Sequence, residues 1–130
     1  MTEKVIGMAI EVHRNLGPGL LESVYEECLC RELADAGVEF QRQKHVPVIY
    51  KDVPMETGFR ADIVVGTDLL IEVKAVERLL PVHEAQVLTY LKFGGFSTGL
   101  LVNFNTKLLK DGIKRFVAAR KTSAISPVGS

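Results

Sequence analysis

An α/β fold with a central mixed β-sheet flanked by helices follows from three observations on this 130-residue chain. Two stretches near the start repeat apolar residues at helical steps of three and four. Between about residues 38 and 76 the repeat changes to two, as in strands. One further helical stretch then separates those runs from another apolar strand, "STGLLVNFN". The length suits one domain that buries a core without covalent staples.

Residues 3–15 read as a helix, with Val5, Met8, Ala9 and Val12 on one face and Thr2 as its cap. Gly17-Pro18-Gly19 stops it. A second helix runs from about Leu20 to Ala36, with Leu21, Val24, Tyr25, Cys28, Leu29 and Leu33 as its stripe and Gly37 as its stop. Val38 to Gln43 and Val46 to Tyr50 read as strands, and Pro47 moves the second to an edge. Thr57 to Val65 and Leu69 to Val76 form the next pair, turned by Gly66-Thr67-Asp68. Pro81 opens a helix from about Val82 to Phe93, closed by Gly94-Gly95. Near the end, Asp111-Gly112 in "LLKDGIKRFV" predicts a hairpin, with a helix broken at Gly112 as the competitor. Residues 1–121 are read as a single domain and 122–130 as a flexible tail.

Sixteen basic and sixteen acidic residues cancel, which argues against strong nucleic-acid affinity from bulk charge and leaves room for a local basic patch. No apolar run approaches the roughly 20 residues that span a bilayer. Met1-Thr2-Glu3-Lys4 leads into a segment broken by Glu11, His13 and Arg14, unlike a signal peptide. Cys28 and Cys30 fall on different helical faces, unsuited to bridging each other or to holding zinc. They read as packing residues in a reducing compartment, so a cytoplasmic location is expected.

The chemistry concentrates in "RADIVVGTDLLIEVKA", residues 60–75. At a period of two, Ile71, Val73 and Ala75 face one way, and Glu72 and Lys74 the other. The run around them is too apolar for a strand washed by water. If the turn at 66–68 pairs this strand with the preceding one, Asp62 joins Glu72 and Lys74 on one face. Two carboxylates that close repel, and a hard divalent cation such as Mg²⁺ relieves the repulsion. A lysine beside them suits orienting a water, offsetting charge on a phosphate, or helping to deprotonate a nucleophile. A Glu-x-Lys step alone is an ordinary solvated or salt-bridged face; the preceding Asp and the apolar surroundings set this one apart.

Glu22 shares a stripe with Tyr25, Leu29 and Leu33, where a carboxylate is unusual, although the first turn of a helix also favours negative charge. Gln86 and Tyr90 lie four apart on one helical face, with Gln86 suited to bonding a phosphate or a lysine-bound water. His83 reads as a capping or surface residue, and His13 and His45 have no partner at ligand spacing. Lys107, Lys110, Lys114, Arg115, Arg120 and Lys121 crowd the C-terminal stretch against Asp111 alone. Such a run tracks phosphates or is a solvated basic face; Lys110, Lys114 and Arg115 are the candidate nucleic-acid contacts.

"GLLESVY", which spells Gly19-x-x-Glu22-x-x-Tyr25, resembles the signature of the GxxExxY protein family, a branch of the PD-(D/E)xK nuclease superfamily. The resemblance extends from about Val5 to Ala119, with "RADIVV", "LIEVKAV" and "HEAQVLTYL" following in the family's order. It implies a restriction-endonuclease-like fold in which Asp62 and Glu72 hold Mg²⁺ (or Mn²⁺) and Lys74 is the catalytic lysine. Glu22 matches an extra acid on an early helix, and Gln86 a polar residue on the helix after the core motif. One departure stands out: Ala61 replaces the proline before the Asp, a position that supplies no ligand. The implied activity is metal-dependent hydrolysis of phosphodiester bonds in nucleic acid, with DNA placed ahead of RNA and a homodimer compatible with the small domain. The alternative is a catalytically silent nuclease-fold adaptor that binds nucleic acid or protein.

Overall fold

In a computed structural model, which describes residues 1–119, a five-stranded mixed sheet lies between a helix pair and a single helix. The expected tail at 122–130, with Arg120 and Lys121, lies outside the described residues. Helix α1 (Thr2–Leu16) buries Val5, Ala9, Val12 and His13. Met1 caps it without a side-chain bond, so Thr2 belongs to the first turn and is not the expected cap. Helix α2 (Glu22–Asp35) buries Tyr25, Glu26, Leu29, Cys30 and Leu33. The Tyr25 hydroxyl donates to the Gly17 carbonyl at 2.5 Å and accepts the Leu20 N–H at 3.1 Å, while its ring stacks on Phe104 at 4.6 Å. One buried aromatic thus ties the Gly17-Pro18-Gly19 loop to the core and fixes where α2 begins.

The two strands expected at 38–43 and 46–50 are one, β1 (Phe40–Tyr50). They merge because both pair with β2 (Val53–Val65) in a single antiparallel register from Phe40↔Val65 to Pro47↔Gly58, with a shift only between Pro47 and Ile49. β1 lies at the edge of the sheet, where a proline costs no ladder bond to a further neighbour. β3 (Leu69–Lys74) returns antiparallel to β2. Helix α3 (Pro81–Gly94) crosses over, and β4 (Thr98–Asn103) lies parallel to β3, as such a crossover requires. The His83 ring accepts the Leu80 N–H at 2.9 Å at the start of α3, the capping role read from the sequence.

The expected hairpin at Asp111-Gly112 does not form. A 3₁₀ turn (Leu109–Gly112) leads into β5 (Ile113–Val117), antiparallel to β4. The segment before it is held by burial, with Phe104 and Leu109 plugged into the core, so it cannot extend as a strand. Gly112 passes so close to the Asn103 carbonyl that a Cβ there would collide with it.

The sheet separates two cores. Val5, Tyr25, Leu29, Ile63, Ile71, Val73 and Phe104 belong to the α1/α2 side; Val46, Ala61, Val64, Leu70, Val87 and Leu91 belong to the α3 side. Ala61 and Ile63 are two apart on one strand yet face different cores, contrary to the usual alternation. At the same level of the partner strand, between the pairs Arg42↔Ile63 and Lys44↔Ala61, Gln43 has a left-handed backbone with φ +54°. For a non-glycine residue that conformation costs about 1–2 kcal/mol.

Candidate active site

The β2–β3 ladder ends at Ile63↔Ile71. One residue further on, β2 leaves β3 and continues with β1 alone, so a fork opens between Asp62 and Glu72. Their side chains occupy it in a reciprocal way. The Asp62 N–H donates to Glu72 Oε2 at 2.9 Å, and the Val73 N–H donates to Asp62 Oδ2 at 2.9 Å. Two backbone donors that the diverging strands would leave unpaired are satisfied by two carboxylates.

Glu72 is only 3% exposed, whereas Asp62 is half-buried. Burial pushes the Glu72 carboxyl up to about 8, and the nearby Asp62 charge adds to the rise; the Asp62 N–H and Lys74 oppose it. Asp62 is also raised, first by burial, with Glu26 adding and with the Val73 N–H, Gln43 and Lys74 opposing. The Lys74 ammonium donates to Gln86 Oε1 at 3.1 Å, and Gln86 donates to the Tyr90 hydroxyl at 3.0 Å. Tyr90 stacks on Phe59 at 3.8 Å, which packs the ribbon base onto α3. Burial raises the Tyr90 phenol, and the Glu72 charge adds to it, so the hydroxyl stays protonated. Gln86 therefore meets the lysine itself, and Glu72 and Lys74 share the α3 side of β3, as the period of two requires.

Glu22 arrives from the other layer. It is exposed, and its Oε2 accepts the Ala75 N–H at 3.3 Å, one residue past the end of β3. Its carboxylate stands at the rim of the fork. The buried acid expected on the α2 stripe is instead Glu26, one helical turn later and 6% exposed. Glu22 lies in the first turn, before the helix dives under the sheet, and that position leaves it open to water. Arg42 donates to Glu26 Oε2 at 2.6 Å, and Gln43 donates to both Glu26 oxygens at 3.1 and 3.0 Å and to Asp62 Oδ1 at 3.2 Å. Glu26, Arg42 and Gln43 were not legible as site residues. The one available signal was the four-residue step from Glu22 to Glu26, which puts both acids on one helical face.

The acid pair suits a hard cation. Glu72 Oε1 accepts no hydrogen bond among the described residues, although the side chain is buried, and a second carboxylate stands beside it. A positive ion between them would remove the repulsion and the desolvation cost together. Among the described residues, however, no group of three or more His, Cys, Asp or Glu is gathered closely enough to hold a metal by itself. A cation here would take its remaining ligands from water and substrate oxygens, as Mg²⁺ commonly does.

The basic stretch does not form one stripe. Lys114 pairs with Glu84 of α3 at 2.6 Å, and Arg115 with Glu3 of α1 at 3.0 Å, on opposite faces of β5. Lys107 and Lys110 line a separate cavity of about 490 Å³ with His13, Arg14 and Pro18. No helix among the described residues is long and apolar enough to cross a membrane.

The sequence profile of the PD-(D/E)XK nuclease superfamily matches residues 1–116. No curated protein and no solved structure matches the chain.

Proposed function

Since the chain belongs to the PD-(D/E)XK nuclease superfamily, we propose that it is a metal-dependent nuclease of the GxxExxY branch, acting on nucleic acid in the cytoplasm. The observation that carries this reading is the fork itself: Asp62 and Glu72 facing each other at the end of β3, with Lys74 beside them on the α3 side. Gly19, Glu22 and Tyr25 fill the positions after which the branch is described.

In this reading Asp62 and Glu72 hold Mg²⁺ or Mn²⁺, and the ion supplies Lewis acidity and a lowered pKa for water. Lys74, held by Gln86, presents its ammonium where negative charge develops on the scissile phosphate. Tyr90 keeps the Gln86 amide turned so that its carbonyl meets the lysine. Glu22, at the rim, accepts a hydrogen bond from a water or binds an outer ligand of the ion.

A second reading is favoured by one observation, that both acids already accept the backbone N–H groups freed where the strands part. In that reading the fold is kept as an adaptor and the acids serve only to cap the fork. The deciding assay incubates purified protein with single- and double-stranded DNA and RNA, with Mg²⁺ and with Mn²⁺. Cleavage by wild type that is lost in Lys74→Ala supports the nuclease. No cleavage of any substrate leaves the adaptor, and equal cleavage by the variant removes Lys74 from the chemistry.

A further inference from the structure

We infer that Gln43 is a positioning residue, which clamps the Asp62 carboxylate in its ligand orientation by bridging it to the buried Glu26. The inference rests on the metal-dependent reading of the fork and names a residue outside the acid–lysine set that carries it.

The first support is the chemistry of the bridge. The Gln43 amide lies between two carboxylates, 3.0 and 3.1 Å from the oxygens of Glu26 and 3.2 Å from Asp62 Oδ1. Ionised carboxylates only accept, so the NH₂ end must face both, and its two hydrogens suffice for the two acids. With Oδ2 held by the Val73 N–H and Oδ1 by Gln43, the Asp62 carboxylate cannot rotate. Each oxygen keeps a second lone pair for a cation.

The second support is the backbone. Consecutive strand residues normally point to opposite faces, yet Arg42 and Gln43 both donate to Glu26. The left-handed φ of +54° at Gln43 makes this possible. A side chain other than glycine is therefore kept at a position where glycine would sit more easily, and what that side chain does there is bridge the two acids. Glu26 is in turn fixed by Arg42 at 2.6 Å, so the anchor is rigid.

Partners of this kind typically change metal affinity about 10–100-fold when removed. The test is Mn²⁺ titration by calorimetry of wild type and Gln43→Gly, with thermal melts in chelator. Glycine relieves the left-handed backbone and removes only the clamp. A merely structural role for residue 43 predicts unchanged metal affinity; the clamp predicts a metal-free protein that still folds cooperatively and binds Mn²⁺ roughly tenfold more weakly. Gln43→Asn, also at home in left-handed backbone but too short to span both acids, repeats the measurement should the glycine variant not fold. In Gln43→Gly, or in Gln43→Asn if the glycine variant does not fold, a loss of about fivefold or more supports the clamp, and any smaller loss overturns it. Wild type that binds no Mn²⁺ sinks the metal reading and the clamp together, whereas tight binding by both wild type and variant sinks the clamp alone.

Discussion

The Asp62 N–H donates to the Glu72 carboxylate at 2.9 Å, on the first rung beyond the end of the β2–β3 ladder. The bond links architecture to chemistry. The fold needs acceptors where the strands part, and the acceptors supplied are the two acids best placed to hold a cation. Backbone capping and charge repulsion therefore act on the same side chains.

The metal-free protein should lose stability as pH rises. The Glu72 carboxyl titrates near 8 in the folded chain against an ordinary 4.5, so the folded state binds more protons than the unfolded state between those values. Unfolding free energy then falls through that window and levels off above it; the raised Asp62 acts in the same direction. Thermal melts in chelator at about pH 5 and about pH 8.5 should show the drop, and Glu72→Gln should flatten it. An identical drop in the variant would assign the titration to other groups.

Divalent metal should reverse that loss. An ion that binds only the folded fork stabilises by about 2.7 kcal/mol at a hundredfold excess over its Kd. The melting temperature of wild type should climb with Mg²⁺ or Mn²⁺, most steeply at the higher pH, where the carboxylates are charged. Glu72→Gln and Asp62→Ala should show no such climb. A rise of equal size in these variants would place the ion elsewhere.

Turnover and metal binding should separate at Lys74. Its ammonium meets Gln86 and lies beside the acids without capping them, so Lys74→Ala should keep the metal-induced rise in melting temperature. The same variant should lose roughly 10²–10⁴-fold in single-turnover cleavage, the range for a positioned proton-transfer or charge-stabilising group. Gln86→Ala should cost less, because the lysine remains but its orientation is no longer fixed. Lys74→Ala cleaving at the wild-type rate would remove it from the chemistry.

Much of this arrangement is legible in the chain, and the parts that are not share a cause. The alternation in "LLIEVKA" sets the phase of β3, since Ile71 and Val73 must reach a core and Glu72 and Lys74 must then face the other way. The 66–68 turn places Asp62 opposite Glu72. What escapes is whatever depends on where neighbouring layers end. Glu22 and Glu26 occupy the same helical face, and only the position of the sheet decides that the later one is buried. The left-handed Gln43 leaves no mark in its sequence neighbourhood, because the side chains it meets, Glu26 on α2 and Asp62 on β2, lie 17 and 19 residues away along the chain. Asp111-Gly112 carries a hairpin signal, yet the fold uses Gly112 for close approach to Asn103 and not for a two-residue turn.

Lys114 and Arg115 should behave differently towards nucleic acid although they are adjacent. Lys114 lies on the α3 face, the layer that carries Gln86, while Arg115 points to α1 and Glu3. Both ion pairs are open to solvent, the Lys114–Glu84 pair about half-exposed and the Arg115–Glu3 pair more so, so neither substitution should cost more than about 1 kcal/mol of stability. Lys114→Glu should weaken nucleic-acid binding and lower the slope of log affinity against log salt by about one phosphate's worth. Arg115→Glu should leave both unchanged. Affinity for one duplex, measured across a salt series in Ca²⁺ to suppress cleavage, compares them directly. Equal losses from the two variants would mean that the substrate wraps the β5 edge and touches both faces, and a loss at Arg115 alone would place the binding surface on the α1 side, away from Lys74.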